Sequence, residues 1–361
     1  MEYKVSYREK DGGVQAIINY KDGDKWRQKA KQGFRIQKDA KPWIDKTLKE
    51  LKETVTVVEE FRGITFGKFK EIFLKDKQRE AAYNSIKFYK RTFAKFKDLD
   101  NIPLTDVGYI NIKPCVDKMI DEGLKNSTIK DYLAKLRTVF NHAIDNYEII
   151  TTNPVNIKKY KLPIQIDDAE EKVKALNENE VDDLLSRLKG RDYFICLIAV
   201  KCGLRLGEIN GIVDGINGAI DFKNGELHVK QQWKELEKGK YGLGSLKTKN
   251  SYRTVPIPKK YIPKLEKYTQ TCVKDLNNRI FIDNTNNRTG ERLRRKFNRW
   301  GYDISVHNLR HTYATTLLSN GLDFETVAEL MGDTVEMVIR TYSHVIDDMR
   351  KNAKTRIDNI L

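Results

Sequence analysis

An α+β, multidomain fold is predicted for this chain of 361 residues by three observations. Near the N-terminus apolar and polar side chains alternate between turn residues, the pattern of a small antiparallel sheet. From Thr65 to about Tyr160 apolar residues recur at helical spacing instead. Beyond Ala175 helical stripes resume, interrupted by alternating stretches. The expected architecture is a small three-stranded sheet plus helix (1–55), a helical bundle (65–160), and a mainly α domain with a small antiparallel sheet and a C-terminal tail (175–361).

A formal net charge of +16 points to a polyanionic partner, with nucleic acid ahead of membrane. No apolar run reaches membrane-spanning length, and MEYKVSYREK lacks the hydrophobic region of a signal peptide, so a cytoplasmic protein is expected. Cys115, Cys196, Cys202 and Cys272 are scattered without a close ligand pair and read as buried free thiols.

In the first unit Tyr3, Val5 and Tyr7 alternate, Gly12-Gly13 turns the chain, and Val14 to Tyr20 forms a second strand. Lys21-Asp22-Gly23-Asp24 is a hairpin signal, Trp26 to Ile36 a third strand, and a helix follows from about Asp39 to Glu53 with Trp43, Leu48 and Leu51 turned to the sheet. Arg27, Lys29, Lys31 and Arg35 crowd the third strand, a face suited to phosphate. After a linker at Thr54 to Arg62, Phe66, Phe69 and Phe73 make one stripe and Ile86, Tyr89, Phe93 and Phe96 another, interleaved with lysines. These stripes read as core rather than as base-stacking platforms. Ser127 or Asn126 is expected to cap a helix running through Tyr132, Leu136, Val139, Phe140 and Ile144.

Asn156 to Ala175 has no sustained period and reads as a linker. Asn177 with Glu180 forms a capping-box pattern ahead of Val181, Leu184, Leu185 and Leu188. The helix from about Tyr193 to Cys202 is apolar nearly all round, hence buried, and ends at Gly203. CGLRLGEI then holds Arg205 in a turn ahead of a short helix with Glu208, a rigid mount for preorganised charge. Glu226 to Trp233 alternates as a strand, and LKTKNSYRTVPIP reads as a hairpin turning near Asn250-Ser251.

The most informative stretch is Ser305 to His344. Leu309, Tyr313 and Leu317 mark a helix that Gly321 stops, and on it His307, Arg310 and His311 share one face. Gly332 breaks the next helical run, and a last short helix carries Tyr342. His307 and His311 have the spacing of a zinc-ligand pair. However, the position after the first histidine is Asn308 rather than a glutamate base, and Arg310 opposes a dication. The residues fit better as an anion cage for a phosphodiester: arginine offers a two-donor fork, histidine donates or shuttles a proton, and tyrosine is a candidate nucleophile.

HNLRH, followed by MGD and TYSH, resembles the C-terminal signature of the tyrosine recombinases, the integrase family of phages and conjugative transposons. The resemblance implies a catalytic set of Arg205, Lys247, His307, Arg310 and Tyr342. Lys249 is the alternative lysine, and Glu208 the acidic residue that orients the cluster. It further implies an arm-type DNA-binding domain at 1–55, a core-binding domain at 65–160 and a catalytic domain at 175–361. The arginines would hold a scissile DNA phosphate, His307 would assist proton movement at the phenol, and Lys247 would protonate the departing 5′-oxygen as Tyr342 takes the 3′-phosphate. Such chemistry needs no cofactor and no metal. Implied partners are double-stranded DNA attachment sites, further copies of the chain in a homotetramer on DNA, and an excisionase or host DNA-bending protein; strand exchange passes through a Holliday junction.

Where the family usually has His or Trp, nine residues before the nucleophile, this chain has Asp333. It is expected to cap the helix beginning near Thr334; orienting an arginine, or weakening the site, are the alternatives. The tail from Asp347 to Leu361 would by itself be a frayed end, and the resemblance implies that it docks on a neighbouring subunit. The competing functions are type IB topoisomerase-like nicking and a DNA-binding regulator without catalysis.

Overall fold

The computed structural model describes residues 2–22, 25–55, 61, 63–163, 174–215, 218–283 and 285–343, with side chains at 22, 25 and 52–55 excepted. The expected tail at Asp347–Leu361, most of the linker at 54–62 and much of that at 156–175 lie outside these residues. The chain divides into two compact units, 1–166 and 167–361.

In the first unit β1 (Tyr3–Lys10), β2 (Gly13–Asp22) and β3 (Lys25–Phe34) form an antiparallel sheet in that order. The first turn is set one residue earlier than expected. Lys10 pairs with Gly13, so Asp11 and Gly12 are the turn residues, and both have positive φ (55° and 75°), as a two-residue hairpin of matching twist requires. Helix α1 (Lys41–Val55) covers one face: Ile44, Leu48 and Leu51 pack with Ala16, Ile18 and Tyr20. Arg27, Lys29, Lys31 and Arg35 remain exposed.

Four helices follow: α2 (Phe66–Glu80), α3 (Tyr83–Lys95), α4 (Tyr109–Asp121) and α5 (Asn126–Asp145). The predicted aromatic stripes are their core. Phe66 stacks on Phe140 with centroids 5.6 Å apart, and Phe73 meets Tyr89 edge-on at 4.8 Å. Neither expected residue caps α5. Lys125 occupies the cap position without a side-chain bond, and Asn126 instead donates to the Pro163 carbonyl at 2.8 Å.

The second unit begins with α6 (Glu178–Ser186), α7 (Gly190–Lys201) and α8 (Leu206–Asn210). The Asn177–Glu180 capping box forms as read, with reciprocal bonds of 3.0 and 2.7 Å. Residues 226–233, expected as one strand, divide between β5 (Glu226–Val229), which follows β4 (Ile220–Asp221), and β6 (Gln232–Glu237), which turns into β7 (Lys240–Gly244). The hairpin expected at Asn250-Ser251 is absent. Residues 249–251 make a single 3-10 turn, and β8 (Arg253–Pro256) pairs with β5 in the sheet β4-β5-β8. Helices α9 (Ile262–Thr271), α10 (Asn286–Arg299), α11 (Val306–Ser319), α12 (Phe324–Met331) and α13 (Val335–Thr341) follow among the described residues. Buried α7 is its centre, with Phe194 to Val200 in one cluster with Leu293, Phe297 and Leu309. Cys115, Cys196 and Cys202 are buried free thiols, and Cys272 is half-buried and free. No helix among the described residues is long and apolar enough to cross a membrane.

Candidate active site

The site is assembled where α7 ends. Gly203 has φ of +70°, and a Cβ there would lie 2.3 Å from the Tyr313 ring, so only glycine allows this turn to meet α11. The turn delivers Arg205 to the N-cap of α8. Glu208, 3 % exposed, accepts from the Arg205 backbone N–H and from its guanidinium, both at 2.9 Å. The Gly203 carbonyl in turn accepts from Nη1 of Arg310 at 2.6 Å. One glycine turn thus fixes both arginines.

Arg310 is 1 % exposed. Its Nη2 donates to the Met331 carbonyl at 2.6 Å and to Oδ2 of Asp333 at 2.5 Å. Burial lowers its pKa to about 10, with Arg205 nearby adding to the effect. Asp333 also accepts from Arg205 through its other oxygen. The expected capping role is therefore corrected: Thr334 is the N-cap of α13, its hydroxyl accepting from the Met337 N–H, while Asp333 turns inward and joins the two arginines. Two cations that would repel each other make a carboxylate there favourable.

Tyr342 closes α13 at its C-cap and is 2 % exposed. Its hydroxyl lies 2.7 Å from Nδ1 of His311, not against His307. The His307 ring meets the His311 ring edge-on at 4.5 Å. Both histidines are held toward the neutral form. Burial lowers His307, helped by Arg310 and Arg205, and brings His311 down to about 4, helped by His307 and Arg310. Burial pushes the Tyr342 phenol well above its ordinary range, partly opposed by Arg310.

Beside this cluster a cleft of about 450 Å³ is lined by Arg205, Lys247, Asn250, Asp333 and Thr334, among others. Lys247 is exposed in the loop after β7. Lys249 is not among the lining residues. Tyr342 is not among the lining residues either.

One residue of the cluster, and one contact of another, escaped the sequence reading. Arg253, on β8, forms a buried pair with Glu208, both side chains 2 % exposed, and donates from Nε to the Leu330 carbonyl at 2.8 Å. Only its place in alternation with buried Val255 signalled it. His311 was visible on the face of His307 and Arg310, but nothing in sequence selected it as the tyrosine's partner.

Comparison with known proteins covers most of the chain. Residues 65–162 match the phage integrase SAM-like domain and residues 174–349 the phage integrase family. A tyrosine recombinase XerC-like protein of Caldanaerobacter subterraneus subsp. tengcongensis is 27% identical over 340 residues, covering 83% of this chain and 84% of that protein. A Tn1549 transposon integrase in complex with a circular intermediate DNA superposes with a TM-score of 0.65 at 19% identity, covering 81% of this chain and 99% of that one. A lambda integrase tetramer bound to a Holliday junction gives a TM-score of 0.53 at 16% identity, covering 91% and 95%. At these identities the structures establish a common fold. With both family models matched in order along one polypeptide, the chain belongs to the phage integrase family of tyrosine recombinases, enzymes that transfer DNA strands.

Proposed function

We propose that the chain is a site-specific recombinase that integrates or excises a mobile element by cutting and rejoining DNA through a 3′-phosphotyrosine intermediate. The observation that carries this reading is the convergence of Arg205 and Arg310, from separate elements, on the single anion Asp333. A pair of guanidiniums that binds one carboxylate presents the donors a phosphodiester's nonbridging oxygens need.

In this reading Tyr342 attacks the scissile phosphorus, the arginines stabilise the charge of the pentacoordinate transition state, and Lys247 protonates the leaving 5′-oxygen. His307 lies beside His311 and serves proton movement at the phenol. The phosphotyrosine ester keeps the energy of the broken bond, so a second 5′-hydroxyl can reverse the step without ATP. The exposed cations of β3 contact arm sites, and the helices of 65–160 contact core sites. The tetramer and Holliday junction of the lambda integrase complex support a four-protomer assembly here, with an excisionase or host DNA-bending protein as accessory partner, in the cytoplasm.

The test uses the full chain with radiolabelled duplexes tiling the DNA that flanks its coding region. Trapped protein–DNA adducts are expected from the native chain and none from Tyr342→Phe, with DNA affinity nearly unchanged. Adducts that persist in Tyr342→Phe would overturn the assignment.

A further inference from the structure

We propose that His311 is a catalytic residue, the group that takes the phenol proton of Tyr342 as the tyrosine attacks; this rests on the phosphotyrosine reading above. Of the two histidines on this face of α11, it is the second that touches the nucleophile, Nδ1 to hydroxyl at 2.7 Å.

The direction of that hydrogen bond follows from burial. The phenol is nearly inaccessible, and His311 is its only hydrogen-bond partner among the described residues. A buried hydroxyl proton without an acceptor is costly. Donation from the phenol to an unprotonated Nδ1 removes that cost and leaves the ring proton on Nε2. The surroundings keep His311 neutral and ready to accept. It is faced by His307 and Arg310 from its own helix, by Asp333 from the turn ahead of α13, and by Tyr342 at the end of α13, and its pKa falls to about 4.

A base that weak takes a proton only when its surroundings change, and the substrate supplies the change. A phosphodiester anion entering beside Arg310 and Arg205 offsets the positive potential that keeps the imidazole neutral, so His311 becomes more basic as the complex forms. Arg310 meanwhile favours negative charge on the phenol oxygen. In the step itself the Tyr342 O–H bond breaks as Nδ1–H forms, and the freed oxygen pair makes the O–P bond. The P–O5′ bond breaks, and its pair takes a proton from Lys247. In the reverse step the imidazolium returns its proton to the tyrosine as a 5′-hydroxyl displaces it. No free phenolate accumulates, which suits a phenol that burial makes hard to ionise.

The test is single-turnover cleavage by the full chain, using a nicked form of whichever flanking duplex the native chain cuts. His311→Asn is expected to bind that duplex normally and cleave it about a hundredfold more slowly near pH 7. The deficit should shrink as pH rises, and shrink again when Tyr342 is replaced by a fluorotyrosine whose phenol ionises more readily. A sulfur in place of the bridging 5′-oxygen, which needs no proton to leave, should not repair it. His311→Gln guards against a folding defect particular to asparagine, and the same pattern is expected. Cleavage by either variant within about twofold of native, or faster, would make the contact a latch for a parked tyrosine and overturn the proposal. So would a deficit indifferent to pH and fluorination, or one that the sulfur repairs. If Tyr342→Phe still forms adducts, the phosphotyrosine reading itself fails; if it does not, a negative result for His311 falls on this inference alone.

Discussion

Oδ2 of Asp333 accepts a hydrogen bond of 2.5 Å from Nη2 of Arg310, and with Arg205 on its other oxygen this contact places a carboxylate between two guanidiniums. Asp333 is both a support and a competitor. It offsets the charge of a buried guanidinium, yet it opposes an incoming anion. Asp333→Ala is expected to lower stability by roughly 1.5–3 kcal/mol, the range for a hydrogen bond to a charged group, read from urea unfolding. Asp333→Asn keeps the shape and one acceptor, and should bind inorganic sulfate more tightly than the native chain in a calorimetric titration. Equal sulfate affinity would mean that the carboxylate does not oppose anion entry.

Glu208 gives the acid side of the stability profile. Burial acts to raise its pKa, but the hydrogen bond from Arg253 and the charges of Arg253 and Arg205 outweigh it, and the net shift is downward. A carboxyl depressed in the folded state contributes stability that is present above its unfolded value, near 4.5, and lost as pH falls through the lower folded value. Glu208→Gln should therefore flatten the loss of Tm below about pH 4.5. His311 adds a second acid-side loss, between its ordinary 6.5 and about 4, because the unfolded chain takes up that proton first. A melting series in which Glu208→Gln follows the native curve down to pH 3 would contradict the first assignment.

Much of the fold was legible because its signals are local. The aromatic stripes of α2 and α3, the Asn177–Glu180 box and the glycine stop at Gly203 each depend on neighbours in sequence. What failed depends on partners far along the chain. The 249–256 stretch looks like a hairpin until β5 claims β8, and periodicity does not show which edge a strand joins. Asp333 and Thr334 are both good N-cap residues. Thr334 takes that place because Arg205 and Arg310 capture the aspartate. Arg253 is one of 67 Lys and Arg residues, and its alternation with Val255 does not pick it out until its buried pairing with Glu208 is seen. Arg205, Glu208, Arg310 and Asp333 do gather in one cluster, while the phenol of Tyr342 rests on His311 beside it.

Gly203 links turn geometry to the seating of Arg310. At φ of +70° any L side chain is disfavoured, and a Cβ would overlap Tyr313. Gly203→Ala should lose at least about 1–2 kcal/mol from backbone strain, with further loss from the clash. The same shift moves the carbonyl that receives Arg310, so cleavage should fall even at temperatures where the variant remains folded. Unfolding curves beside single-turnover rates at 20 °C below the variant's Tm separate the two effects. Normal cleavage there would show that Arg310 is held adequately by Met331 and Asp333 alone.

Lys247 provides the opposite case, a residue whose loss should cost chemistry without stability. It is exposed on the loop after β7 and lines the cleft shared with Arg205 and Asp333, so Lys247→Ala is expected to melt within about 0.5 kcal/mol of native, as for other surface substitutions. Cleavage should nonetheless fall by about a hundredfold or more if its ammonium protonates the 5′-oxygen. A bridging 5′-sulfur, which leaves as a thiolate unaided, should restore most of that rate. Lys249→Ala, whose side chain is not among those lining the cleft, is the matched control and should cleave normally. If the two substitutions exchanged phenotypes, the proton donor would be Lys249, and the 3-10 turn at residues 249–251 would have to rearrange on DNA to deliver it.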